Sequence, residues 1–151
     1  MILTTSRKPS RRTRSLAKAL ARFANWRYVN RGKMSLEDIA KLSSDFAIIS
    51  EIKGNPAFIT FYRMAKPFLR ISFTVSNVRK VKMDDSPAVF VGKAPFDPLL
   101  INAIPQSEAG LKFARKVDFP KKVVVKKDRL LFLYGDELVF SMRIIRIEKL
   151  G

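Results

Sequence analysis

ILTTSRKPSRRTRSLAKALARFA, residues Ile2 to Ala24, decides how the rest of the chain is read. A short apolar run, Ile2 to Thr5, predicts a strand. A loop containing Pro9 follows from Ser6 to Ser10, and helical spacing then holds over Arg11 to Ala24. Within that helix Leu16, Ala17, Leu20 and Phe23 form one apolar stripe. Arg11, Arg14, Lys18 and Arg22 recur at intervals of three and four, so they stack on a different face. Ser10 and Thr13 are the two candidate caps.

Working outward, Trp26 to Asn30 predicts a second strand, broken after it by Gly32. Ser35 caps a short helix over Leu36 to Leu42, with Asp38 completing a capping box. Phe46 to Ile52 is apolar on both faces, as a strand covered on two sides must be. Lys53-Gly54-Asn55-Pro56 reads as a turn, Phe58 to Met64 as a strand, and Lys66-Pro67 as a further turn. Leu69, Ile71, Phe73 and Val75 alternate with Arg70, Ser72, Thr74 and Ser76, the period of a strand with one wet face.

Asn77 to Pro87 is polar and reads as a link between two halves, about 1–76 and 88–151. The second half offers a strand at Ala88 to Val91 and a helix at Asp97 to Ala103. A firmer helix capped by Ser107 turns Phe113, Ala114 and Val117 inward and Lys112, Arg115 and Lys116 outward. Three closing strands run over Lys122 to Lys126, Arg129 to Tyr134 and Glu137 to Ile147. Lys127-Asp128 and Gly135-Asp136 are the hairpin turns. The fold class is therefore α/β with mixed sheets (α+β), and the element order, though not the residues, repeats between the halves.

Charge narrows the function. The 151 residues include 30 Lys and Arg against 13 Asp and Glu, a net +17. Residues 1 to 33 hold ten cations, Arg7, Lys8, Arg11, Arg12, Arg14, Lys18, Arg22, Arg27, Arg31 and Lys33, and the first acid is Glu37. An ordinary solvated helix face mixes signs, because opposite neighbours stabilise it. A one-signed stripe repels itself and implies an anionic partner. Phosphates suit it: arginine forks grip their oxygens in pairs, and Ser6, Ser10 and Thr13 add hydroxyl donors. The start of the helix after Ser10, with its free N–H groups and dipole, offers a further anion position. Aromatic residues interleave with basic ones at Trp26-Arg27-Tyr28 and Phe61-Tyr62-Arg63, where Tyr28 or Tyr62 can stack on a base. The bland alternatives are a solvated basic helix, and rings that serve the core. A membrane-surface helix is disfavoured because the modest apolar stripe is needed inside.

The chain contains neither Cys nor His, so the usual zinc ligands and the commonest general base are missing. Gly32-Lys33 and Gly92-Lys93 lack the upstream glycine of a phosphate-binding loop. The adjacent acids Glu37-Asp38, Asp84-Asp85 and Asp136-Glu137 sit where turns and helix starts favour carboxylates, which weakens a magnesium-dependent reading. No stretch approaches the length of a membrane span. The expectation is a cytoplasmic monomer with no cofactor and no membrane partner.

Thr5 to Leu20, TSRKPSRRTRSLAKAL, resembles the opening of Brix-domain proteins, most closely the archaeal ones. Asn30-Arg31-Gly32 resembles that family's Asn-Arg-Gly signature. Ser35-Leu36 at a helix start, Glu51 at the end of an apolar strand, Gly54 with Pro56, and a closing strand from Phe140 to Ile147 follow in the family's order. The resemblance spans the whole chain and implies a non-catalytic ribosome biogenesis factor acting on ribosomal RNA or its precursor, in pre-rRNA processing or small-subunit assembly, with other assembly factors as further partners. It also implies two halves, each like the anticodon-binding domain of class II aminoacyl-tRNA synthetases. RNA contacts of the family map to Ser6, Arg7, Lys8, Arg11, Arg12, Arg14 and Arg31; charge adds Ser10, Lys18, Arg22 and Lys33. The family's Gly-Pro-Thr segment is replaced here by Met64-Ala65-Lys66-Pro67-Phe68-Leu69, so the resemblance maps no contact to that segment. Eukaryotic members act in the nucleolus. A permanent ribosomal protein and a magnesium-dependent RNA-processing enzyme are the alternatives.

Overall fold

The computed structural model describes all residues, 1–151. Elements follow the chain as β1 (Ile2–Thr5), α1 (Arg11–Ala24), β2 (Arg27–Tyr28), α2 (Leu36–Leu42), β3 (Phe46–Ile52), β4 (Asn55–Arg63) and β5 (Lys66–Ser76). Then come β6 (Val89–Val91), a 3₁₀ turn (Pro98–Ile101), α3 (Glu108–Lys116), β7 (Lys121–Lys126), β8 (Arg129–Tyr134) and β9 (Glu137–Lys149).

All nine strands join one sheet in the order β2-β1-β3-β4-β5-β9-β8-β7-β6, where the sequence reading had several mixed sheets. The seam is the antiparallel pair β5–β9, from Leu69 opposite Lys149 to Ser76 opposite Ser141. On either side of it the pairing repeats. β1 lies parallel to β3, with β4 and β5 antiparallel beyond; β6 lies parallel to β7, with β8 and β9 antiparallel beyond. A parallel pair requires a crossover, which is why helical elements sit between β1 and β3 and between β6 and β7.

The alternation within β3 assigns the two faces. Ala47 and Ile49 belong to the large core with Leu16, Leu20 and Phe23 of α1. Phe46 and Ile48 belong to a small cluster with Ile39 of α2. Helix α1 therefore packs on one face and α2 on the other, and β3 is covered twice, as its unbroken apolar run requires. Phe23 meets Phe132 of β8 edge-on, with ring centroids 5.1 Å apart, so α1 spans both sides of the seam. Besides the expected stripe, Thr13, Ala19, Ala21 and Ala24 are buried, since small side chains let the helix lie close to the strands.

Two hairpin turns fall earlier than expected. Lys53-Gly54 and Met64-Ala65 take positive φ (51°, 78°, 51° and 63°), the pattern of a tight two-residue hairpin, so β4 and β5 begin at Asn55 and Lys66. Pro56 and Pro67 lie inside strands, opposite Glu51 and Tyr62 at the register shifts. A residue without an N–H is tolerated there because the ladder is already interrupted.

The second half departs further from expectation. Asp97 to Ala103 forms only the short 3₁₀ turn. In α3 no residue is buried, and Phe113 and Val117 are 49% and 40% exposed rather than inward. Its amphipathic spacing was read correctly, but spacing does not say whether a neighbour lies close enough to cover the face. The segment between the halves is anchored to the sheet: Val81 is buried, and Arg79 N–H donates to Val139 O at 2.8 Å.

Candidate nucleic-acid interface

The start of α1 is built from three segments. Ser10 caps the helix by accepting the Thr13 N–H at 3.2 Å, while its own hydroxyl donates to Gly54 O at 2.7 Å. Thr13 is buried inside the first turn, so of the two candidate caps it is Ser10 that serves. The Ser10 N–H donates to Glu51 Oε2 at 3.0 Å, and the Thr13 hydroxyl donates to the same oxygen. These bonds, the Thr13 hydroxyl first, hold the Glu51 carboxyl below its ordinary pKa. An anion therefore already occupies the helix N-terminus, and the position expected for a phosphate is filled by the protein itself. A glutamate at the end of an apolar strand was visible in the sequence, but its reach across 41 positions to the start of α1 was not.

Along the helix the charges sort by flank. Arg11, Arg12, Arg14 and Lys18 are exposed, together with Ser15; Arg22 is half-buried near the end. Arg12 leans to one side, donating to Asn55 Oδ1 at 2.7 Å and Val75 O at 3.4 Å. Arg14 and Lys18 lie on the other, toward the sheet edge at β2, and Arg11 borders both flanks. There they enclose, with Ser15, Tyr28 and Asn30, a basic hollow of about 450 Å³. The Lys18 ammonium lies 5.7 Å from the centre of the Tyr28 ring.

The loop before α1 adds Arg7 and Lys8, both exposed, with Lys8 in the left-handed conformation (φ 52°). Ser6 is half-buried, and its N–H continues the sheet by donating to Ile49 O at 2.9 Å. Lys33 is exposed, and Arg7 reaches the carbonyls of Met34 and Lys33 at 3.4 and 3.5 Å. Arg31 differs from the rest. It is 8% exposed and donates inward, from Nη1 to Thr5 O at 2.9 Å and from Nε to Met34 O at 2.8 Å. Its guanidinium is committed to the backbone, as a buried charge must be.

No carboxylate forms an ion pair with any of the ten cations of residues 1–33. The three ion pairs of the protein are Lys122–Asp118, Arg143–Asp128 and Arg146–Glu148, all in the second half. Of the two candidate stacking rings, Tyr62 is already stacked on Phe46 with centroids 4.5 Å apart. Tyr28 lines the hollow, while Trp26 is buried edge-on to Phe61. The sequence pairs of carboxylates serve local structure: Asp38 completes the α2 capping box, and Asp84 accepts from the Ser86 N–H and hydroxyl.

One cationic feature escaped the sequence reading. Lys121, fully buried at the start of β7, donates to Arg22 O at 3.3 Å and Asn25 Oδ1 at 3.0 Å. These acceptors form the C-terminus of α1, where the helix dipole favours a cation. Burial lowers the Lys121 pKa, and Asp84 and Asp85 pull it partly back.

Fold and site together define a single-sheet α/β protein with a one-signed cationic face around its first helix. No protein-family model matches the chain. It is 62% identical over 148 residues, 98% of this chain and 97% of the other, to a probable Brix domain-containing ribosomal biogenesis protein of Archaeoglobus fulgidus. A protein of the same description from Methanothermobacter thermautotrophicus is 58% identical over 62 residues, 40% of each chain. Among solved structures, Mil, an archaeal Imp4-like protein, is 28% identical and superposes with a TM-score of 0.67 over 99% of both chains. A probable ribosomal biogenesis protein from Aeropyrum pernix is 20% identical with a TM-score of 0.62, over 95% and 93%, and shares the fold. The chain belongs to the Brix domain-containing ribosomal biogenesis proteins.

Proposed function

We propose that this chain is a non-catalytic ribosome assembly factor that holds ribosomal RNA, or its precursor, on the exposed crest of α1 and the loop before it. The observation that carries the reading is the segregation of charge: the ten cations of residues 1–33 have no carboxylate partner, while every ion pair lies in the second half. Leaving like charges uncompensated on one surface raises the energy of the free protein. A polyanion relieves that cost, and release of its condensed counterions supplies affinity. The contacts are assigned to Ser6, Arg7, Lys8, Arg11, Arg12, Arg14, Lys18, Arg22 and Lys33, with Ser10 and Arg31 as the scaffold beneath. The repeated strand order on either side of the seam supports the further reading that each half follows the plan of a synthetase anticodon-binding domain.

The test is charge reversal. Arg11, Arg14 and Lys18 lie off the buried face of α1, so R11E/R14E/K18E keeps the fold and loses binding to ribosomal RNA transcripts in a gel-shift titration. The dependence of affinity on salt falls by about 0.7 to 0.9 in log–log slope for each phosphate contact removed. Retained affinity in a folded triple variant overturns the assignment.

A further inference from the structure

The hollow beside α1 contains more than a phosphate surface requires. Three cations line it, but so do an aromatic ring, Tyr28, and two neutral hydrogen-bonding side chains, Ser15 and Asn30. Its volume of about 450 Å³ falls within the range of small-ligand sites, roughly 300 to 1,000 Å³.

The floor is rigid. Val29 N–H donates to Leu3 O at 3.0 Å, the Thr4 hydroxyl donates to Val29 O at 2.6 Å, and Arg31 ties the next turn to Thr5 O. Tyr28 and Asn30 are thus held on a strand edge fastened from below, as preorganised binding residues are.

From this we infer that the hollow is a subsite for one unstacked nucleotide of RNA, which deepens the proposed function and rests on it. The base lies against the Tyr28 ring, the Asn30 amide meets its hydrogen-bonding edge, and the flanking phosphates fall on Arg11, Arg14 and Lys18. In the free protein the Lys18 ammonium sits over that ring. Lys18 is exposed on a flexible stem, so it can swing to a phosphate as the base arrives. A base inside an A-form duplex has no free face to offer, so the subsite selects single-stranded loops, bulges and ends.

The experiment uses the full chain with two labelled probes, a short single-stranded RNA and a blunt duplex of the same length, read by fluorescence anisotropy. Y28A weakens the single strand between about fivefold and about a hundredfold, the range of one lost base–aromatic stack. It leaves duplex affinity and the salt slope unchanged, while Y28F binds as the parent does. Equal losses on both probes make the hollow a phosphate site only and overturn the inference, as does no loss on either. A parent protein that binds neither probe overturns the proposed function as well, so the two failures are distinguishable. Should Y28A not fold, the unaltered protein is photo-crosslinked to single-stranded RNA carrying 5-iodouracil. An adduct on Tyr28 supports the subsite, and adducts confined to other residues overturn it.

Discussion

Glu51, at the end of β3, places a carboxylate oxygen 3.0 Å from the backbone nitrogen of Ser10, at the point where α1 begins. The same oxygen takes the hydroxyl hydrogen of Thr13. This internal anion fills the helix start, while the nearby cations Arg11, Arg12 and Arg14 form no ion pair with it. The contact is half-buried and fastens a strand, a loop and a helix at one position.

Replacing it makes a stability prediction with a definite sign. The folded-state pKa of Glu51 lies below the unfolded one, so its contribution is complete above the unfolded value and fades as pH falls through the folded one. E51Q lowers unfolding stability at neutral pH by roughly 1 to 2 kcal/mol, the scale of a helix cap or a charge-assisted hydrogen bond. The difference shrinks in urea titrations as the pH is taken down through the lowered folded-state value, where the parent carboxyl becomes protonated too. A pH-independent difference refutes the charged contact.

Arg31 gives a prediction that separates scaffold from interface. Its guanidinium bonds Thr5 O and Met34 O from within. A lysine cannot hold both carbonyls in one fork, so R31K loses about 1 to 3 kcal/mol in thermal or chemical unfolding. Full stability in R31K combined with weakened RNA binding would show that this side chain faces the ligand after all.

Lys121 is the third case. K121A opens a cavity and strands the acceptors Arg22 O and Asn25 Oδ1, at a cost of about 2 to 4 kcal/mol. K121M fills most of the volume and loses less. Burial lowers the folded-state pKa of Lys121, so the parent gains stability as pH rises from that lowered value toward the ordinary lysine value of about 10.4. K121M lacks that gain, which paired denaturation series across alkaline pH measure directly. Parallel pH profiles for the two proteins would contradict it.

How much of this was legible in the sequence follows from the range of each interaction. α1, α2 and β3 have the boundaries read from periodicity and capping, because those signals are complete within a few residues. The hairpin at Met64-Ala65 was missed because neither residue carries the Gly or Asn mark of positive φ. The single sheet was missed because the β5–β9 seam joins strands some seventy positions apart by backbone bonds, which leave no mark on composition. At the site, the exposed cations of α1 were readable from spacing, whereas the inward turn of Arg31 and the burial of Lys121 depend on carbonyls contributed from distant elements.

The position of the seam has a consequence for the order of manufacture. During synthesis the first five strands are complete once Ser76 is made, yet the long open side of β5 meets its neighbour only when residues 137–149 leave the ribosome. At about 5 to 20 residues per second that interval is roughly 4 to 15 s. Throughout it the nascent chain presents an unpaired strand edge with one apolar face, the kind of edge that recruits foreign strands. Arrest of translation within those last thirteen residues would therefore leave a sticky half-sheet rather than a slightly shortened protein.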